Sequence, residues 1–263
     1  MGQQLLLRTK RGVTPTEAGK VLYRHAQSIL RQCDQAVVEM RAASLGLSGS
    51  VSICIAPGTL ADTLTLPLLR TLRERHPGIV PYLNENYGTT MSELILSGRM
   101  DLALIYGGRV PVHGLVFMPL LREPLYLVGP AASGDVGETV PLARLADYDL
   151  YLPRPYNYVR KMVDEACLGA GVAARVVAEI ESEKSLMAVL RGGLGATVAP
   201  ASLAHDLVLQ CDAWKSRIVE PVIEAPLALC QSEHLPLSEP ADAVKEILLE
   251  LVAEIPITNY ASA

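Results

Sequence analysis

The sequence predicts an α/β protein in three parts: a short basic N-terminal segment, one long helix, and a body of two Rossmann-like lobes. Strands alternate with helices from residue 51 onward, which is typical of parallel βαβ units in a doubly wound sheet. Apolar residues between Leu22 and Met40 recur in alternating steps of four and three, which indicates a helix with a narrow apolar seam. At 263 residues, half of them apolar, the chain is long enough for more than one core.

Positive charge is concentrated at the N-terminal end. The first 50 residues contain seven lysines and arginines against three acids, whereas the whole chain has a net charge of −5. A basic arm on an acidic body is typical of a nucleic-acid-contacting end joined to a regulatory body. The alternative is a basic helix face that does no more than keep the chain solvated.

Residues 8–19, RTKRGVTPTEAG, have the pattern of a wing that runs into a helix in a winged helix-turn-helix. A recognition helix enters the major groove of DNA, and the wing beside it lies against the DNA backbone. The recognition helix should come just before the wing, where this sequence has only seven residues. We therefore interpret residues 1–14 as the remnant of a winged helix-turn-helix and expect impaired DNA binding.

Residues 15–47 are predicted to form a linker helix that also mediates dimerisation. Thr14 is expected to cap it, with Pro15 at the first helical position and Glu17 completing a capping box. The predicted seam consists of Leu22, Ala26, Ile29, Cys33, Ala36 and Met40. A seam of this length favours a partner helix from a second copy over packing within its own domain. Gly46 and residues 48–50 are expected to end the helix in a hinge.

The two lobes are predicted to be interleaved along the chain. Residues 51–129 and 235–255 form regulatory lobe I, and residues 130–234 form regulatory lobe II. Residues 115–121 and 124–129 are expected to be separate strands of lobe I, and strands near 217–221 and 226–231 are expected to close lobe II. The last helix is expected to pack back on lobe I. Such a pair of lobes encloses a cleft of the kind that small ligands prefer.

Residues at the predicted carboxyl ends of strands and at helix starts mark an effector pocket in this cleft. They are Gly58, Thr59, Thr89, Thr90, Asn157, Tyr158 and Ser182. Free N–H groups at helix N-termini favour a small molecule, for which an anion is one candidate. The equally weighted alternative is that the Thr, Asn and Ser side chains only cap helices.

No catalytic or cofactor motif is present. The sequence has no G-x-S-x-G elbow, no phosphate-binding P-loop and no H-E-x-x-H, and its five histidines are isolated from one another. Five scattered cysteines without metal spacing indicate reduced thiols and no metal site. With no signal peptide and no apolar run of membrane-spanning length, we expect a cytoplasmic protein without a membrane partner.

These features together resemble the LysR-type transcriptional regulators. Residues 3–19 are similar to that family's wing and linker-helix start, and residues 194–200, LGATVAP, to the glycine-turn strand of its second regulatory lobe. Residues 29–33, 56–59 and 163–166 are most similar to a branch of the family that controls nitrogen assimilation.

The resemblance implies a DNA-binding regulator with an effector domain like the type 2 periplasmic binding proteins. It implies a homodimer or homotetramer on double-stranded DNA, and RNA polymerase is a candidate partner. By position it makes Arg8, Lys10 and Arg11 wing residues on the DNA backbone, and Thr59, Thr89 and Ser182 pocket-lining residues. Two alternatives stand beside it: a dominant-negative dimerisation partner without DNA binding of its own, and a small-molecule-binding cleft protein.

Overall fold

The computed structural model describes residues 2–9, 12–42, 47–108, 111–134 and 136–255. The seven helices of these residues are α1 (Glu17–Ala42), α2 (Leu60–Arg75), α3 (Gly88–Leu96), α4 (Tyr158–Ala170), α5 (Glu183–Arg191), α6 (Ala201–Cys211) and α7 (Glu239–Ala253). The strands are β1 (Leu6–Thr9), β2 (Gly12–Pro15), β3 (Ser48–Ile55), β4 (Gly78–Glu85), β5 (Leu102–Tyr106), β6 (Leu115–Pro130), β7 (Thr139–Pro141), β8 (Asp149–Leu152), β9 (Arg175–Glu179), β10 (Thr197–Pro200), β11 (Ala213–Val219) and β12 (Glu224–Ser232).

The N-terminal segment is an antiparallel hairpin of β1 and β2 that leads directly into α1. The start of α1 differs from the prediction. Thr14 and Pro15 pair with β1, so the helix begins at Glu17 and its first turn is capped by Thr16, whose hydroxyl accepts from the N–H of Gly19 at 3.0 Å. Thr14 and Pro15, which were predicted to start the helix, belong to strand β2 of the hairpin instead.

The first lobe is a five-stranded mixed sheet in the order β4-β3-β5-β12-β6. β3 is parallel to both β4 and β5, whereas β12 is antiparallel to β5 and β6. One face packs on α2 and α7, and α3 lies on the other. The predicted return of the last helix to the first lobe is confirmed by buried Val244, Ile247 and Leu248.

Two predictions about the ends of this lobe were wrong. Residues 48–50 are no hinge, because they form the first part of β3 and pair with residues 78–80 of β4. Residues 226–231 do not close the second lobe, because β12 pairs with β5 in the first lobe. The first lobe therefore resumes at β12, before the predicted boundary at residue 235.

The chain passes between the lobes inside a strand. The two strands predicted at 115–121 and 124–129 form the single strand β6. Its first half pairs with β12, and its second half pairs with β10 and β11 of the second lobe. The predicted lobe boundary at residue 130 is thus displaced into the middle of β6, because both lobes use this strand in their sheets.

The second lobe adds β7, β10 and β11 to the end of β6, with a parallel pair β8–β9 alongside. α4 packs on one side of this sheet, and α5 and α6 pack on the other. Four of the five cysteines are buried and Cys33 is exposed, and all five are free thiols. In the described part of the chain, no helix is long and apolar enough to cross a membrane.

Candidate functional site

A cavity of about 760 Å³ lies between the two lobes. Six of the seven predicted pocket residues line it: Gly58, Thr59, Thr89, Asn157, Tyr158 and Ser182. Thr90 does not. The residues of α3 that line the cavity share one side of the helix: Gly88, Thr89, Ser92 and Glu93. Thr90 follows Thr89 and is rotated from it by about 100° around the helix axis, so its side chain faces solvent.

Three of these residues act as helix caps within the cavity wall. The buried hydroxyl of Thr59 donates to the carbonyl of Ala56 at 2.7 Å and accepts from the N–H of Ala61 at 3.2 Å. Asn157 accepts from the N–H of Val159, and Ser182 caps α5. These Thr, Asn and Ser side chains therefore cap helices, as the alternative interpretation of the sequence held, and they also line the cavity.

The lining is acidic. Glu93, Glu165, Glu181 and Glu183 face the cavity, whereas Lys161 is its one lysine or arginine among the described residues. Burial raises the pKa of the Glu183 carboxyl, and the nearby carboxylates of Asp62, Glu85 and Asp206 raise it further. Burial likewise raises the pKa of Asp62 to about 6. The excess of negative charge in the wall argues against the anionic ligand that the sequence interpretation had considered.

A hydrogen bond crosses the cavity from one lobe to the other. Tyr87, just before α3 in the first lobe, donates to the backbone carbonyl of Glu181 in the second lobe at 2.8 Å. Burial and the surrounding carboxylates raise the pKa of Tyr87 to about 12, so the hydroxyl keeps its proton. The Glu181 side chain accepts from Tyr156 at 2.7 Å through Oε2, whereas its buried Oε1 has no hydrogen-bond partner among the described residues.

Apart from Tyr158, the sequence interpretation missed the aromatic and acidic part of the lining. Tyr87, Tyr106, Phe117 and Tyr156 come from four separate segments and meet in the cavity wall. Nothing in their spacing signals a shared site, because the lobes bring them together only after folding. An aromatic and acidic wall suits a cationic or neutral polar group better than a carboxylate.

Apart from the cavity, the linker helix α1 carries an exposed apolar surface. Leu22, Ile29 and Cys33 of the predicted seam are exposed and Ala26 is partly exposed, while the side chains of Ala36 and Met40 lie outside the described set. A further row at the same seven-residue spacing, Tyr23, Leu30 and Val37, is 62%, 65% and 48% exposed. The seven-residue repeat of this row was visible in the sequence and widens the predicted seam.

The wing residues are only partly described. Arg8 lies in β1 opposite Val13 and is exposed, whereas Lys10 and Arg11 fall outside the described residues. Among the described residues, no group of three His, Cys, Asp or Glu side chains is placed to hold a metal ion.

Comparison with known proteins defines the class. Residues 44–253 match the family model of the LysR substrate binding domain. The crystal structure of full-length CbnR complexed with its target DNA superposes with a TM-score of 0.65 at 24% identity, covering 96% of this chain and 85% of CbnR. The chain belongs to the LysR family of transcriptional regulators, which places it among regulators and not among enzymes.

Within that family the chain is similar to nitrogen regulators. It is 46% identical to the nitrogen assimilation regulatory protein nac of Klebsiella aerogenes, over 98% of this chain and 84% of that protein. It is 43% identical to the protein of the same name from Escherichia coli K12, over 96% of this chain and 82% of that protein.

Proposed function

We propose that this chain is the linker and sensing body of a DNA-bound, self-associating regulator of nitrogen assimilation genes. The observation that carries the proposal is the combination of a basic hairpin, a long exposed helix and a two-lobed cleft, in a chain 46% identical to a nitrogen assimilation regulatory protein. The hairpin positions Arg8 on an exposed strand, where a cation can contact a phosphate.

Self-association through α1 is part of the proposal. The helix has 26 residues, about 39 Å at 1.5 Å per residue, and the described apolar side chains of its two rows include exposed Leu22, Ile29, Leu30 and Val37. Two such helices side by side would bury these rows, which supports a homodimer as the basic unit. A homotetramer, a contact with RNA polymerase and a cytoplasmic location are further parts of this proposal.

DNA binding is tested by fluorescence anisotropy of two proteins at several salt concentrations. One is the 263-residue chain, and the other carries the DNA-reading helices of a family member such as CbnR before the hairpin, which supplies the wing. Both are measured on that member's target duplex. We expect the chimera to bind about 1,000-fold more tightly or better, since specific complexes exceed non-specific ones by that margin. In the chimera, Arg8→Ala should reduce the salt slope by about one unit, whereas Arg144→Ala on the second lobe should leave it unchanged. A chimera that binds no better than the chain would refute the wing and linker assignment.

We further propose that the small molecule held by the cavity is cationic or neutral. The free Oε1 of Glu181, the acidic wall and the tyrosines support a ligand with an amine or guanidine group.

Calorimetric titration with arginine, 1,4-diaminobutane and succinate tests the charge of the ligand. We expect heat of binding for the two cations and none for succinate. Glu181→Gln should weaken cation binding about tenfold, whereas Glu246→Gln on the exposed side of α7 should have no effect. Tighter binding of succinate, or equal loss in both variants, would contradict this proposal and leave the DNA-binding test unaffected.

A further inference from the structure

Glu123 is a buried carboxylate at the junction of the two lobes. It lies in the middle of β6, where the strand leaves β12 and reaches β10 and β11, and it is 2% exposed. Among the described residues, no lysine, arginine or histidine forms an ion pair with it. A buried charge without a counter-ion must be stabilised by hydrogen bonds, so its donors show what it does.

Four hydrogen bonds reach the two carboxylate oxygens. Oε1 accepts from the N–H of Leu60 at 3.0 Å and from the hydroxyl of Tyr106 at 2.6 Å. Oε2 accepts from the N–H and the hydroxyl of Ser202, at 3.1 and 2.7 Å. The burial of Tyr106 beside this carboxylate raises the pKa of the phenol well above its ordinary value, so Tyr106 remains a donor.

The donors belong to both lobes. Leu60 opens α2 of the first lobe, and Ser202 lies in the first turn of α6 of the second lobe. A helix N-terminus has free N–H groups and a partial positive charge, and here two such ends converge on one anion. This arrangement has the donor set of a carboxylate-binding site, and a side chain of the chain itself fills it.

We propose that the Glu123 carboxylate is a built-in anion that clamps the first turns of α2 and α6 together and so sets the angle between the lobes without a ligand. Glu123 is a positioning residue in this role. It also occupies the N–H groups of Leu60 and Ser202 at the starts of the two helices. The proposal is independent of what the cavity binds.

Chemical rescue tests the clamp. Glu123→Ala removes the atoms Cγ, Cδ, Oε1 and Oε2, which correspond to the heavy atoms of one acetate ion. We expect the variant of the full chain to melt about 5 to 10 °C lower than the parent, because four buried donors lose their acceptor. Sodium acetate should then raise its melting temperature in a saturable way by about 3 °C over sodium chloride of equal ionic strength. The parent chain should show no such difference.

Glu123→Gln is the matched control. The amide keeps the shape of the side chain and leaves no room for acetate, so this variant should lose stability without being rescued. Acetate should also slow hydrogen exchange in peptides around Leu60 and Ser202 of the alanine variant. A merely structural glutamate would give neither the acetate dependence nor this local protection. Equal effects of acetate and chloride on Glu123→Ala would overturn the proposal.

A double-mutant cycle keeps the proposal testable if Glu123→Ala does not fold. Ser202→Ala removes one donor and retains the carboxylate, and should lower the melting temperature by about 3 °C. In the Glu123→Gln background the same change should cost less, because the amide has lost the negative charge and one of the two acceptor oxygens. Equal costs of Ser202→Ala in both backgrounds would show that Glu123 does not couple to α6.

Discussion

Replacing Gly19 by alanine is expected to detach the N-terminal segment from the linker helix. A Cβ at Gly19 would lie 2.0 Å from the backbone carbonyl oxygen of Leu5, so either the segment or the helix must move. Two hydrogen bonds from Thr16 hold the segment there. The N–H of Thr16 donates to the backbone carbonyl of Leu5 at 2.9 Å, and its hydroxyl donates to the backbone carbonyl of Gln4 at 2.8 Å. Losing two or three such bonds costs about 2 to 3 kcal/mol locally.

This cost outweighs the opposing effect of helix propensity. Alanine favours a helix over glycine by about 1 kcal/mol, so propensity alone predicts a more stable α1. We expect hydrogen exchange of residues 2–9 to accelerate about 30- to 150-fold while the lobes remain protected. In the chimera proposed for the DNA-binding test, Gly19→Ala should lower the affinity for DNA at least tenfold.

Gly169→Ala is the matched control for Gly19→Ala. Gly169 also lies in a helix, and a Cβ there would meet nothing within 4 Å. The control should be neutral or stabilising by up to about 1 kcal/mol. Unchanged exchange of residues 2–9 in Gly19→Ala would show that the segment does not need this close approach.

Gly195→Ala is expected to destabilise the second lobe strongly. A Cβ at this position would lie 2.3 Å from the carbonyl oxygen of Asp149 and 2.9 Å from the ring of Tyr151. The same carbonyl accepts from the N–H of Ala196 at 2.9 Å, and Tyr151 donates its N–H to Ala196. Relieving the overlap breaks this connection between β8 and β10, and overpacking adds strain. Together these effects lower the free energy of unfolding by about 3 to 4 kcal/mol.

Urea unfolding followed by circular dichroism measures this loss, with Gly193→Ala as its control. Gly193 has a φ of +68° and open space around it, so alanine there adds backbone strain without overlap and should cost about 1 kcal/mol. If Gly195→Ala is no less stable than Gly193→Ala, the close approach of β8 is not what requires glycine. The close contact between Gly195 and the backbone of Asp149 gives a physical reason for the glycine in the LGATVAP segment, which resembles the family.

Local pattern was enough to predict much of this protein. The alternation of strands and helices, the basic hairpin, the long helix and six cavity-lining residues follow from the periodicity of apolar residues and from capping residues, which act within a few positions along the chain. The errors at Thr14 and at residues 48–50 arose where strand pairing overrode a good local signal, with the neighbouring β1 in the first case and with β4 in the second.

The long-range features required the tertiary structure. No short-range pattern shows that β6 serves both sheets, or that β12 returns to the first lobe, because strand pairing is chosen by packing between segments far apart in sequence. The sign of charge in the cavity is likewise a sum over separate segments. Glu123 illustrates the difference most clearly: in the sequence it is one acid among 28 Asp and Glu residues, and only folding places two helix N-termini on its carboxylate.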